Sequence, residues 1–265
     1  MKVFYDQLNR KLELKDLLRR IVSLVPSQTE LLVDLGLRKK IVGVTKFCVH
    51  PEDLRKEKKV VGGTKQVHYD RIKALAPDII LCNKEENTEE MVTELEKIAP
   101  VHVSNVMTIE DSLELILQYG EIFGVTEKAS EISEKIAFLK NEFQKEMEKV
   151  PERKVAYFIW KNPWMVAGKD TFIDHLLELN RFKNAFSEKD SRYPEIELEQ
   201  LEQQNVELVL LSTEPFPFKL KVRDAFKKEV KMDRVHIVDG EYFSWYGSRL
   251  ISAFAYFRKL QAVLS

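Results

Sequence analysis

The side chains best suited to hold a small molecule fall in short segments where aromatic rings alternate with cations and hydroxyls. Tyr242-Phe-Ser-Trp-Tyr-Gly-Ser-Arg249 is the densest, and Trp160-Lys-Asn-Pro-Trp164, Ser191-Arg-Tyr193 and Pro215-Phe-Pro-Phe218 share its character. All three tryptophans lie in these segments. Pro26-Ser-Gln-Thr29, Lys46-Phe47, Gly63-Thr-Lys65 and Asn83-Lys84 are their counterparts in the first half. Ring faces suit a large, flat or apolar ligand, and a few polar groups orient it. A local mini-core beneath the loops is the alternative use of the same rings.

Signs of catalysis are thin. The sequence contains no G-x-S-x-G, no Walker A and no G-x-G-x-x-G. Gly62-Gly-Thr-Lys65 resembles a phosphate loop but lacks its flanking spacing, so a turn is expected. The five histidines show no metal-binding spacing, and His102 and His236 fall inside expected strands. No metal of the protein's own is expected. Cys48 and Cys82 make no C-x-x-C and read as two separate buried thiols, although pairing in an oxidising compartment stays open.

The elements that must position these segments alternate. Short apolar runs at 20–25, 41–45, 78–82 and 101–103 read as strands, each followed by helix formers or a polar loop. Ser27-Gln-Thr-Glu30 has the pattern of a capping box opening a helix, and Gly36 is placed to end it in the left-handed region. Runs at 154–159, 164–167, 207–211 and 235–238 restart the alternation, with helices at 171–179, 197–204, 222–230 and 248–264. Between the halves, residues 109–150 are almost all helix formers, broken at Gly120 and Gly124, and 126–149 reads as one rigid helix. Strands alternating with helices predict parallel sheets covered on both faces. The predicted fold is α/β: two Rossmann-like lobes, 1–122 and 151–265, joined by a backbone helix at 123–150, with a ligand cleft between the lobes. In open parallel sheets ligands bind beyond the carboxyl ends of the strands, where the aromatic segments fall.

The halves also resemble each other. Glu30–Gly36 aligns with Asp174–Asn180, and Asp78–Glu85 aligns with Glu207–Glu214, acid to acid. A duplicated α/β unit is expected.

Lys+Arg 42 against Asp+Glu 43 leaves a net charge of -1, which argues against a nucleic-acid binder and against a polybasic membrane anchor. With 44% hydrophobic residues a sizeable core is available. No apolar run approaches a membrane span, and residues 1–10 carry no export signal.

Ile21-Val-Ser-Leu-Val-Pro-Ser-Gln-Thr-Glu-Leu-Leu32, Gly62-Gly-Thr64, Pro77-Asp-Ile-Ile-Leu81 and the long 126–149 helix together resemble class III solute-binding proteins. These are the helical-backbone receptors of ABC importers for cobalamin, haem and ferric siderophores, and the pattern looks closest to the cobalamin branch. The resemblance implies a binding protein and not an enzyme, with no cofactor of its own and a corrinoid or ferric chelate as bound ligand. Trp160, Trp164, Phe216, Trp245 and Tyr246 are then expected on the ligand's faces, and Ser27, Gln28, Lys65, Arg192 and Arg249 on its polar rim. Lys46, Phe47, Thr64 and Tyr193 complete the expected contacts. A haem ligand would take Tyr193 or Tyr246 as axial partner. The resemblance further implies one acid per lobe docking on the permease, and Glu85 and Glu214 are the aligned candidates. A monomer in the periplasm or cell envelope is expected. The missing export signal keeps an intracellular carrier or enzyme for a corrinoid or metal chelate as the alternative.

Overall fold

The two stretches of strand–helix alternation condense into two α/β units in a computed structural model that describes residues 2–264. The first unit takes residues up to 106, 110–137 and 246–250, and the second takes 107–109, 138–245 and 251 onward. Residues 246–250, expected in the second lobe, therefore pack with the first.

The first unit opens with an antiparallel hairpin of β1 (Lys2–Tyr5) and β2 (Lys11–Leu14). Then follow β3 (Ile21–Ser23), α1 (Pro26–Asp34), β4 (Ile41–Val44), α2 (Leu54–Glu57), β5 (Lys59–Val60) and α3 (Tyr69–Ala74). β6 (Ile79–Asn83), α4 (Glu89–Glu96) and β7 (Val101–Ser104) complete the alternation. The sheet runs β5-β4-β3-β6-β7 with every pair parallel. β6 is buried along its whole length, as a strand covered on both faces must be. Gly36 ends α1 with φ +81 as expected, but the capping box does not form. Val25 is the N-cap with no side-chain bond, Pro26 fills the first turn, and Glu30 turns to a distant arginine.

α5 (Ile109–Phe123) and α6 (Thr126–Met147) replace the run of helix formers. Gly124, with φ +70, makes the expected break. Gly120 does not interrupt its helix. A Cβ there would come within 2.6 Å of the Ala129 Cβ, so Gly120 lets α6 approach α5 closely. The 22 residues of α6 span roughly 33 Å.

The second unit contains β8 (Arg153–Trp160), β9 (Met165–Val166), α7 (Phe172–Leu179), β10 (Phe182–Asn184), α8 (Gln200–Gln203) and β11 (Leu208–Ser212). α9 (Leu220–Val230), β12 (Val235–Val238), α10 (Glu241–Ser244) and α11 (Leu250–Leu264) follow. The parallel path is β10-β8-β11-β12, with β9 antiparallel on β8. Its order repeats β4-β3-β6-β7 strand for strand, and β11, like β6, is wholly buried. α8 is shorter than the expected 197–204, while β10 and α10 arise where loops were expected.

Candidate functional site

In the first unit, β4 delivers Lys46 and Phe47 to its carboxyl end. The Phe47 ring is 48% exposed, and the Lys46 ammonium lies 4.9 Å from its centroid. Gly63 makes room for this ring, since a Cβ would stand 3.3 Å from Phe47 Cε2. Gly62 turns the chain at φ +139, where a side chain would strike the Gln66 carbonyl, and the Gly63 amide donates to that carbonyl. The Gly62–Lys65 segment is thus a tight turn, as expected. It is tied to the loop after β6: Asn87 Nδ2 donates to the Thr64 carbonyl, and Lys65 Nζ to the Glu85 carbonyl. Asn83 Oδ1 accepts the Glu85 and Glu86 amides, which fixes the acidic turn. A cation beside an exposed ring suits a ligand with an apolar face and an anionic or amide rim.

Four of the expected contacts are held inside the first unit. Gln28 is fully buried; its Nε2 donates to Tyr246 Oη at 2.9 Å and Ser104 Oγ at 2.7 Å, and its Oε1 accepts from Tyr119 Oη at 2.7 Å. Tyr246 is 6% exposed, and burial pushes its hydroxyl up to about 12. Arg249 grips Glu30 through two bonds of 2.8 and 2.7 Å. The Gly247 amide donates to Ser112 Oγ. Ser27 is buried beside this net. Tyr119 and Ser104 were not singled out in the sequence; their only signal was polarity inside otherwise apolar segments.

In the second unit Trp160, the last residue of β8, is 39% exposed and meets Phe216 edge to face at 5.7 Å. Trp164 is drawn into a mini-core with Phe158, Phe218 and Phe226 at centroid distances of 5.6, 6.3 and 5.1 Å. Lys161 Nζ stands 5.2 Å from the Trp164 ring. Trp245 is buried. Arg192 Nε donates to the Asp170 carbonyl, and the half-buried Tyr193 sits beside it. After β11, Ser212 Oγ accepts the Glu214 amide, and Glu214 Oε1 accepts from Ser244 Oγ at 2.6 Å. The aligned acids Glu85 and Glu214 therefore occupy corresponding turns, each fastened by the polar residue that ends its strand.

Cys48 and Cys82 are free and buried, as the plainer reading of the sequence had it. Cys48 lies within 3.1 Å of the Thr29 hydroxyl and 3.3 Å of the Thr45 hydroxyl, and burial raises its thiol. Among the described residues no group of three or more His, Cys, Asp or Glu side chains could hold a metal ion, and no helix is long and apolar enough to cross a membrane.

Two parallel sheets with the same strand order, linked through a long helix and presenting aromatic and charged loops at their carboxyl ends, define a solute-binding architecture. The sequence matches the periplasmic binding protein family over residues 21–235, and the chain belongs to that family. An ABC transporter substrate-binding lipoprotein of Bacillus subtilis is 26% identical over 256 residues, spanning 93% of this chain and 81% of that one. The vitamin B12-binding protein of Vibrio campbellii is 26% identical over 201 residues, 73% of this chain and 70% of that one. The fold is shared with the periplasmic vitamin B12 binding protein of Vibrio cholerae, with a TM-score of 0.80 at 17% identity over 93% of this chain and 97% of that one.

Proposed function

We propose that the chain is the solute-binding component of an ABC importer on the outer face of the cytoplasmic membrane, acting as a monomer by capture and not by catalysis. Its solute is a metal chelate, a corrinoid first. One observation carries this reading. Of the large aromatic rings left exposed among the described residues, Phe47 and Trp160 stand at the carboxyl ends of parallel strands, where folding alone gives no reason to expose them. Phe47 with Lys46, and Trp160 with Phe216, supply ring faces. Lys65, Thr64, Arg192 and Tyr193 supply polar contacts. Ser27, Gln28, Tyr246 and Arg249 act behind these loops by holding them in place. The name of the Vibrio campbellii relative favours the corrinoid among chelates. A haem ligand would draw on Tyr193, since the Tyr246 hydroxyl is engaged with Gln28.

Titration with cyanocobalamin, followed by tryptophan fluorescence corrected for the ligand's absorbance and by calorimetry, tests the reading. Saturable binding at about micromolar or tighter is expected, weakened at least about tenfold by Phe47→Ala or Trp160→Ala. Binding of haemin or a ferric siderophore with no response to the corrinoid would reassign the solute. Unchanged affinity in both variants would reject the site.

A further inference from the structure

The near-neutral charge of the whole chain conceals a local excess. Between Lys219 and Arg234 stand seven cations and three carboxylates, a surplus of +4 within a chain of net charge -1. α9 sorts them. Val222, Phe226 and Val230 pack into the core of the second unit, so Lys221, Lys228 and the following Lys231 face solvent. Arg223 and Lys227, one turn apart on α9, and Arg234, which immediately precedes β12, all act on His236 in that strand. Arg223 bridges the adjacent Asp224 at 2.8 Å. The charges that act on His236 are Lys227, Arg223 and Arg234, and together with burial, the larger cause, they hold it below its ordinary value. The cations of the strip therefore act together on His236. At the start of the strip Leu220 is 60% exposed between the exposed Lys219 and Lys221.

From this strip we infer a second surface, apart from the solute loops: α9 and the turn after it rest on an anionic lipid surface, with Leu220 entering the headgroup boundary and Lys221, Lys228, Lys231 and Arg234 meeting lipid phosphates. The cations are spread along a helix and the next strand instead of converging on one pocket. That distribution complements a plane of diffuse negative charge better than a single anion. An exposed leucine flanked by lysines is the apolar contact such a surface accepts and a purely acidic partner does not need.

The test uses the full chain and sedimentation with vesicles. Binding is expected to phosphatidylcholine vesicles containing about 30% phosphatidylglycerol, to be absent with pure phosphatidylcholine, and to fall in about 0.5 M salt. Lys221→Glu/Lys228→Glu/Lys231→Glu should lower the affinity at least about tenfold while circular dichroism and solute binding stay unchanged. Leu220→Ser should weaken it further without altering net charge. No binding of the wild-type chain to anionic vesicles at low salt would overturn the proposal, as would unchanged binding of the triple variant. Equal capture by soluble polyglutamate, indifferent to Leu220→Ser, would replace the lipid with an acidic protein partner. The surface contains none of the proposed solute contacts, so its failure leaves the solute reading standing.

Discussion

His102 shows how a single buried side chain sets a pH response. Its ring is fully buried in β7, edge-on to Tyr119 at 5.3 Å, with Nε2 paired to Gln118 and Nδ1 without a hydrogen-bond partner. Burial holds it neutral and lowers its pKa to about 4 from an ordinary 6.5. Between those values the unfolded chain takes up a proton that the folded one refuses, so stability is complete above about pH 6.5 and declines as the pH falls toward 4. The loss attributable to this group is at most about 3 kcal/mol. His102→Phe keeps the ring contact and removes the titration; its melting temperature should depend less on pH than the wild type's between pH 4 and 6.5. Equal slopes would show that His102 is not the group responsible. The sequence placed His102 within a strand correctly. It could not separate a tyrosine or glutamine that meets a ligand from one that meets a buried partner. Gln28 and Tyr246 were expected on a ligand's rim and face because both flank strand-end segments, yet they bond each other inside the first unit, with Ser104 and Tyr119 taking further bonds of Gln28. Composition reads polarity and is silent about which polar atom comes to rest opposite.

At the scale of elements, the N-terminal hairpin protects the sheet. β7 ends the first sheet, and its outer edge would otherwise offer unpaired backbone groups. The turn after β1 covers it. The fully buried Asp6 carboxylate accepts the Leu8, Arg10 and Val103 amides and the Arg10 guanidinium, while Gln7 reaches Asp111 and Asn105. Asp6→Ala should cost about 2–4 kcal/mol in urea denaturation and speed amide exchange at Val103, because several donors lose their acceptor at once. Protection at Val103 equal to the wild type's would refute an edge-sealing role. Elements with strong periodicity were legible: α6 was placed to within two residues, and the buried strands β6 and β11 were found as apolar runs. The capping box was not, because a bidentate ion pair to a residue 219 positions away outweighs the local bond available to Glu30. β10 and α10, with three and four residues, are too short to show a period.

At the scale of the whole molecule, the repeated strand order makes the two acidic turns structural equivalents, which the internal alignment of Asp78–Glu85 with Glu207–Glu214 had already put in register. If Glu85 and Glu214 meet a permease, Glu85→Lys/Glu214→Lys should leave solute affinity within about twofold and abolish uptake or stimulation of transporter ATPase in reconstituted vesicles. Full stimulation by the double variant would refute the assignment. A fall in solute affinity would mean that these turns shape the capture loops instead.

The packing of residues 246–250 with the first unit has a consequence for biosynthesis. That unit lacks Tyr246 and Arg249 until residues 138–245 of the second unit have been made. Until then Gln28 has no tyrosine to donate to and Glu30 has no guanidinium to face, although the strands around them already exist. The nascent protein cannot complete its first unit until most of its second has been made, so the first unit stays incomplete through that interval. Any factor that must receive it unfolded has that interval in which to act.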